Sequence, residues 1–198
     1  MNLLTSFAPF IVFAVLIHLG LTEPALWAGA AVAAGLILRD RLLLGRSAKI
    51  LEVGTAVLFT GLALYTAVTV QSWTVPLVRL VVDLGLLTIV LLSLAVGLPF
   101  TLQYARENTP QAIWSTPEFL AANRSITAVW AAAFAVLAVA DSIMAFMPQV
   151  PHGFGVLLTV AAIYGAFRFT KTRSAGGSAT SEGRATAVPD QILRRPDQ

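Results

Sequence analysis

The stretch VPLVRLVVDLGLLTIVLLSLAVGL, residues 75–98, decides the fold class. It exceeds the about 20 apolar residues that cross a bilayer as a helix at 1.5 Å per residue, and only Arg79 and Asp83 interrupt it. Residues 50–70 and 126–147 repeat the pattern, with Glu52 and Asp141 as their single acids. Residues 3–21, 24–38 and 154–167 are shorter apolar runs, close to the lower limit of about 17. Across 198 residues, 57% are hydrophobic, 12% are charged and the mean hydropathy is +0.80. A soluble domain carries roughly a quarter charged residues, so this chain has too little charge to cover a water-facing surface. The reading is an all-α, polytopic transmembrane helix bundle.

Charge placement gives the orientation. Of the 13 Lys and Arg, all but Arg79 fall in three places. Arg39, Arg41, Arg46 and Lys49 form the first, Arg106 and Arg124 the second, and Arg168, Lys171, Arg173, Arg184, Arg194 and Arg195 the third. Short loops retain Lys and Arg on the cytoplasmic side. Six crossings with both termini cytoplasmic satisfy every loop, because the turns at 22–24, 71–74 and 148–153 then face outward without a Lys or Arg. Five helices, or four plus a short hairpin that does not cross, are the alternatives, and charge does not separate them. Residues 1–173 form the membrane domain. Residues 174–198, rich in Gly, Ser, Ala, Thr and charge without an apolar period, are expected to be a disordered cytoplasmic tail. The N-terminus has no basic region of the kind a secretory signal needs, so the first apolar run is expected to stay as a membrane element.

Pro99, Pro110 and Pro117 punctuate the longest connection, 99–123, which argues against one continuous helix there. Its segment 113–120 mixes aromatic, apolar and acidic residues. It reads either as lying at the headgroup level, where Trp114 is favoured, or as a solvated loop.

Ionisable groups inside spans are costly and mark the first places to look for function. Arg79 and Asp83, spaced i, i+4, can pair on one helix face. His18 and Asp141 are depth-compatible with them, so His18, Arg79, Asp83 and Asp141 form a candidate outward polar cluster. It reads as a proton- or cation-responsive site or, alternatively, as helix-end charges that snorkel or pair for packing. On the inner side Glu52 and Arg124 are a candidate ion pair. Arg39, Arg41, Arg46, Lys49 and Arg106 are candidate contacts to lipid headgroups. Gly54, Gly61, Gly85 and Gly97 suit close helix packing. With no cysteine and only two histidines, and no H-E-x-x-H, Gly-x-Ser-x-Gly or Walker loop, no catalytic, metal or cofactor residue is assigned. The net charge of +3 sits at membrane edges and in the tail, which points to anionic lipid rather than nucleic acid.

A set of scattered residues resembles a known family. Phe7-Ala8-Pro9-Phe10 opens the first helix. Lys49-Ile50-Leu51-Glu52 precedes Leu58-Phe59-Thr60-Gly61. Trp114, Asn123, Trp130, Phe134, Ala140-Asp141 and Ala145-Phe146-Met147-Pro148 follow in the late half. Together they resemble the bacterial intracellular septation protein A family, with Asp141 standing where that family often has Asn. The resemblance implies a multi-pass protein of the bacterial inner membrane with a non-enzymatic, scaffold-like role in envelope maintenance or septation. Its partners would be membrane lipids, division or envelope proteins, or further copies of itself. The alternative is a small solute or ion transporter or channel that uses the outward polar cluster.

Overall fold

The computed structural model describes residues 3–69, 73–147 and 149–187, with no side-chain detail for Leu3, Leu4, His152 and residues 174–187. Every regular element among them is helical. In chain order these are α1 (Leu3–Ser6), α2 (Ala8–His18), α3 (Thr22–Leu42), α4 (Ile50–Val68), α5 (Val75–Ala95), α6 (Phe100–Glu107), α7 (Pro117–Phe146) and α8 (His152–Ala187), with a 3-10 turn at Gln111–Ile113. Four segments are long and apolar enough to cross a membrane: α4, α5, α7 and the Gly153–Arg173 part of α8. Gln71, Ser72 and Pro148 of the expected outer turns lie outside the described residues, as do residues 188–198 of the tail. Helix α8 continues past Arg173 to Ala187, through the first part of the segment expected to lack structure.

Helix boundaries follow local chemistry. The first apolar run splits at Phe7 into α1 and α2. Pro9 opens α2, at a position where a missing N–H costs nothing. The break expected at Thr22–Pro24 falls instead at Gly20, whose φ of +78° suits glycine, and Pro24 sits in the first turn of α3. Helix α7 begins well before residue 126, because Thr116 caps it by accepting from the Phe119 N–H and Pro117 occupies its first position. The segment 113–120 is therefore a 3-10 turn running into α7. The prolines at 99 and 110 bracket α6, a short helix in what reads as loop.

Contacts pair the start of each helix with the end of its neighbour, so α3 and α4, α4 and α5, and α7 and α8 run antiparallel. A Cβ at Gly29 would lie 2.9 Å from the Phe59 ring, and one at Gly54 would lie 2.8 Å from Ile89. One at Gly85 would strike Leu58, and one at Gly155 would strike Met144. Small residues thus let α3, α4, α5, α7 and α8 approach their neighbours, the usual route to helix association in lipid. Gly61 has open space and Gly97, at φ +72°, makes a turn, so these two serve no close packing. Helix α2 lies on α3. It is tied to α4 through Phe10–Phe59, with ring centroids 5.2 Å apart, and to α7 through Phe7 stacked on Trp130 at 5.0 Å. Helix α7 is the most enclosed of the four long spans. Large apolar side chains such as Val57, Leu64, Leu91, Val139, Leu157 and Val160 point outward, as a lipid-facing surface requires.

The Gly29 contact gives a stability prediction. Phe59 is fully buried and tilted against both Phe10 and Phe13, so its ring has no room to retreat. Gly29→Ala should cost about 1–3 kcal/mol through overpacking. Gly35→Ala on the same helix meets nothing within 4 Å and should be neutral or mildly stabilising. Unfolding midpoints of the two variants in detergent check the contrast.

Candidate functional site

The antiparallel order gathers polar side chains at two opposite ends of the bundle. At one end the α3–α4 connection folds back so that Lys49 is almost sealed off, its side chain 4% exposed. Its ammonium donates to Asp40 Oδ2 at 2.7 Å and reaches Glu107 Oε1 at 3.0 Å and Glu52 Oε1 at 3.6 Å. It also lies over the Tyr104 ring, 5.2 Å from the centroid. Arg39 grips Asp40 Oδ1 at 2.9 Å, and Arg46 stands 3.4 Å from Glu107. Ser6 donates to Glu52 at 3.1 Å. Three carboxylates therefore face at least three cations.

Helix α6 is what closes this end. Gln103 accepts the Ile50 N–H at 2.8 Å, capping α4 with a side chain. Thr101 donates to the Asn123 carbonyl at 3.0 Å and meets Thr127 at 2.8 Å, which pins α6 on α7. Phe100, Leu102 and Tyr104 are buried beneath it.

Burial alone would lower the Lys49 ammonium, but hydrogen bonds to Asp40 and Glu107 outweigh it and hold the group above its ordinary 10.5. Burial alone would raise the Glu107 carboxyl, and its bond to Lys49 instead holds it below 4.5. Burial pushes the Tyr104 hydroxyl well up, so it stays protonated. A depressed acid stabilises the fold above its unfolded pKa and loses that contribution as pH falls through the folded value. A raised base stabilises below its unfolded pKa and loses its contribution as pH rises through the folded value. Lys49 and Glu107 are thus both charged throughout the range between the ordinary carboxyl value of 4.5 and the ordinary ammonium value of 10.5. The destabilisation caused by Glu107→Gln should accordingly be constant near neutrality and shrink in acid, where the wild-type carboxyl is itself protonated. Unfolding midpoints of both proteins across pH measure this.

The opposite end holds the second cluster, on α5 and α7. Arg79 Nη2 lies 3.1 Å from Asp141 Oδ1, with side-chain exposures of 25% and 1% respectively. Neither Asp141 oxygen has a hydrogen bond of good geometry. Asp83, one turn along α5 from Arg79, lies against Asp141. With both acids ionised, the three groups sum to one negative charge. Below them Leu86 and Val90 on α5, with Phe134 and Leu137 on α7, are all buried and form a dry layer. Asp83 stands about 15 Å along α5 from Ser93, the next buried polar side chain on that helix.

The expected sites are redrawn in four places. Arg79 pairs across the helix interface with Asp141 rather than within its own helix with Asp83, because α5 and α7 are close neighbours. His18 ends α2, is exposed and joins no ion pair or hydrogen bond among the described residues, so it is outside the cluster. Glu52 belongs to Lys49 and Ser6, while Arg124 is exposed on α7, so the Glu52–Arg124 pair does not form. Lys49 is a buried hub and not a headgroup contact, and Arg39 and Arg46 are engaged by Asp40 and Glu107. Arg41 is exposed, and Arg106 lies over the Trp114 ring, 5.4 Å from its centroid. Asp40 and Glu107, central to the hub, carried no functional reading in the sequence. An acid beside an arginine in a basic loop looks like ordinary surface charge, and only the folding back of that loop distinguishes them.

No family model, curated protein or solved structure matches the chain.

Proposed function

We propose that this chain is a multi-pass membrane protein that takes up a proton or a monovalent cation at the Asp83–Asp141 pair, in the manner of a small ion-coupled carrier. One observation carries the reading: a fully buried carboxylate, Asp141, sits at an α5–α7 interface beside a second acid with one arginine between them. Two carboxylates and one guanidinium leave a negative charge that a proton or cation would balance. Snorkelling does not account for Asp141, because its side chain does not reach the surface. Ionisable groups at such depth mark ion or proton paths by default. Arg79, a quarter exposed, gives the pair an opening toward the end of the bundle opposite the basic loops. The dry layer of Leu86, Val90, Phe134 and Leu137 blocks the other direction in this conformation. The reading is non-enzymatic.

The orientation is part of the proposal. The connections carrying Arg39–Lys49, Arg106 and Arg124, together with the Arg168–Arg173 end of α8, meet at one end of the bundle, which supports a cytoplasmic placement of that end and of both termini. Six crossings follow if α2 and α3 both pass through, although α2, with 11 residues, is only about 16 Å long. The native chain lacks cysteine, so single-cysteine labelling is clean. A cysteine at Ser72 or Gln149 should react with an impermeant reagent from outside, and one at Ser47 should not. External labelling at Ser47 would overturn the orientation.

The functional test is uptake by the reconstituted full-length chain. Liposomes containing it should dissipate an imposed proton or sodium gradient faster than empty ones, and Asp83→Asn should abolish the difference while the protein stays folded. Equal rates for wild type, Asp83→Asn and empty liposomes would sink the carrier reading. A second reading, an envelope or septation scaffold of the bacterial inner membrane, is supported by the outer face of α8. There Val156, Leu157, Val160, Ile163, Tyr164 and Phe167 form an exposed apolar stripe that suits a neighbouring helix as well as lipid. The resemblance to the septation protein A family supports the same reading.

A further inference from the structure

We propose that Arg106 and Trp114 form a binding site for the phosphate of an anionic phospholipid headgroup at the basic end of the bundle. The Arg106 guanidinium carbon lies over the Trp114 ring, 5.4 Å from its centroid. Its Nε is shut away from water with no hydrogen-bond acceptor. The neighbouring acid, Glu107, is committed to Lys49 and Arg46. Arg106 joins no ion pair among the described residues, although it sits beside a cluster in which three carboxylates face at least three other cations. Of the Arg106 donors only Nε is sealed in this way, so the outer Nη groups are the ones that an acceptor from outside can reach. A guanidinium held over an aromatic ring presents its remaining donors as a fork, which matches two oxygens of a phosphate.

The site is held in place from below. The Trp114 indole N–H donates to the Thr109 carbonyl at 2.9 Å, which fixes the ring. Helix α6 buries Phe100, Leu102 and Tyr104 and so cannot roll Arg106 away. Trp favours the headgroup level of a bilayer. The cytoplasmic leaflet is rich in anionic lipid, and exposed Arg41 and Arg124 add positive charge to the same end of the bundle. The phosphate could equally come from a soluble phosphate compound. The interfacial tryptophan favours the lipid.

Native mass spectrometry of the full-length chain, released from detergent with phosphatidylglycerol and phosphatidylcholine in equal amounts, tests the assignment. Wild type should retain phosphatidylglycerol preferentially. Arg106→Gln should weaken that retention roughly tenfold, the loss expected for a charge-assisted hydrogen bond. Arg106→Lys keeps the charge but not the fork and should recover only part. Helical content, read by circular dichroism on each variant, separates loss of the site from loss of the fold. Equal phosphatidylglycerol retention by folded Arg106→Gln and wild type would overturn the site. Displacement by millimolar inorganic phosphate, with no preference between the two lipids, would overturn the lipid assignment.

Discussion

Lys49→Met should lower the stability of the bundle by about 3–5 kcal/mol, the penalty for removing one partner from a buried charge cluster. The ammonium holds Asp40 at 2.7 Å and Glu107 at 3.0 Å, and stands 3.6 Å from Glu52. Methionine fills the stem's volume over Tyr104 but neutralises none of the three acids. Arg39 and Arg46 remain at the edge and cannot reach all of them. A loss of this size is a large part of the roughly 5–15 kcal/mol that holds a typical fold together, so expression should fall as well. Adding Glu107→Gln to Lys49→Met should restore part of the loss, since it removes one stranded charge. Arg41→Gln, a change of the same charge in the same loop, should leave the midpoint unmoved because Arg41 is exposed. Detergent-solubilised protein unfolded by heat, followed by circular dichroism, gives all four midpoints. Equal midpoints for Lys49→Met and wild type would show that the hub is decoration.

Sequence made the membrane class and the two-ended charge order legible, because hydropathy and the positions of Lys and Arg depend only on the solvent around each segment. Which charge meets which was not legible. Lys49 reads as one more basic loop residue, and its burial depends on residues 43–49 folding back under α6, which the three prolines made look like loop. Arg79 with Asp83 satisfies the i, i+4 rule within one helix, yet the partner that wins is Asp141, brought closer by the α5–α7 contact. His18 shares a depth with that cluster but is exposed at the end of α2 and points away from it. Depth along a helix can be counted from sequence. The angle around it, which decides partners, depends on which helices are neighbours.

The second large effect belongs to Arg79. Arg79→Gln leaves Asp83 and Asp141 against each other with no cation, in a setting where Asp141 is 1% exposed. Like charges that close are strongly unfavourable, and breaking a buried pair costs about 3–5 kcal/mol. The quarter exposure of Arg79 places the expected loss at the lower end of that range. Asp83→Asn behaves oppositely. It leaves one acid and one base, a balanced Arg79–Asp141 pair, and should leave stability unchanged or slightly higher. The double variant, Arg79→Gln with Asp83→Asn, leaves a single buried carboxyl that can take a proton, so it should be less damaged than Arg79→Gln alone. Acidification should likewise restore Arg79→Gln, because protonation removes the repulsion, and it should do little for Asp83→Asn. The three midpoints at neutral and acid pH thus read the charge count of the site directly. If Arg79→Gln is no less stable than Asp83→Asn at neutral pH, the site does not carry an excess negative charge, and the argument for an ion or proton bound there fails with it.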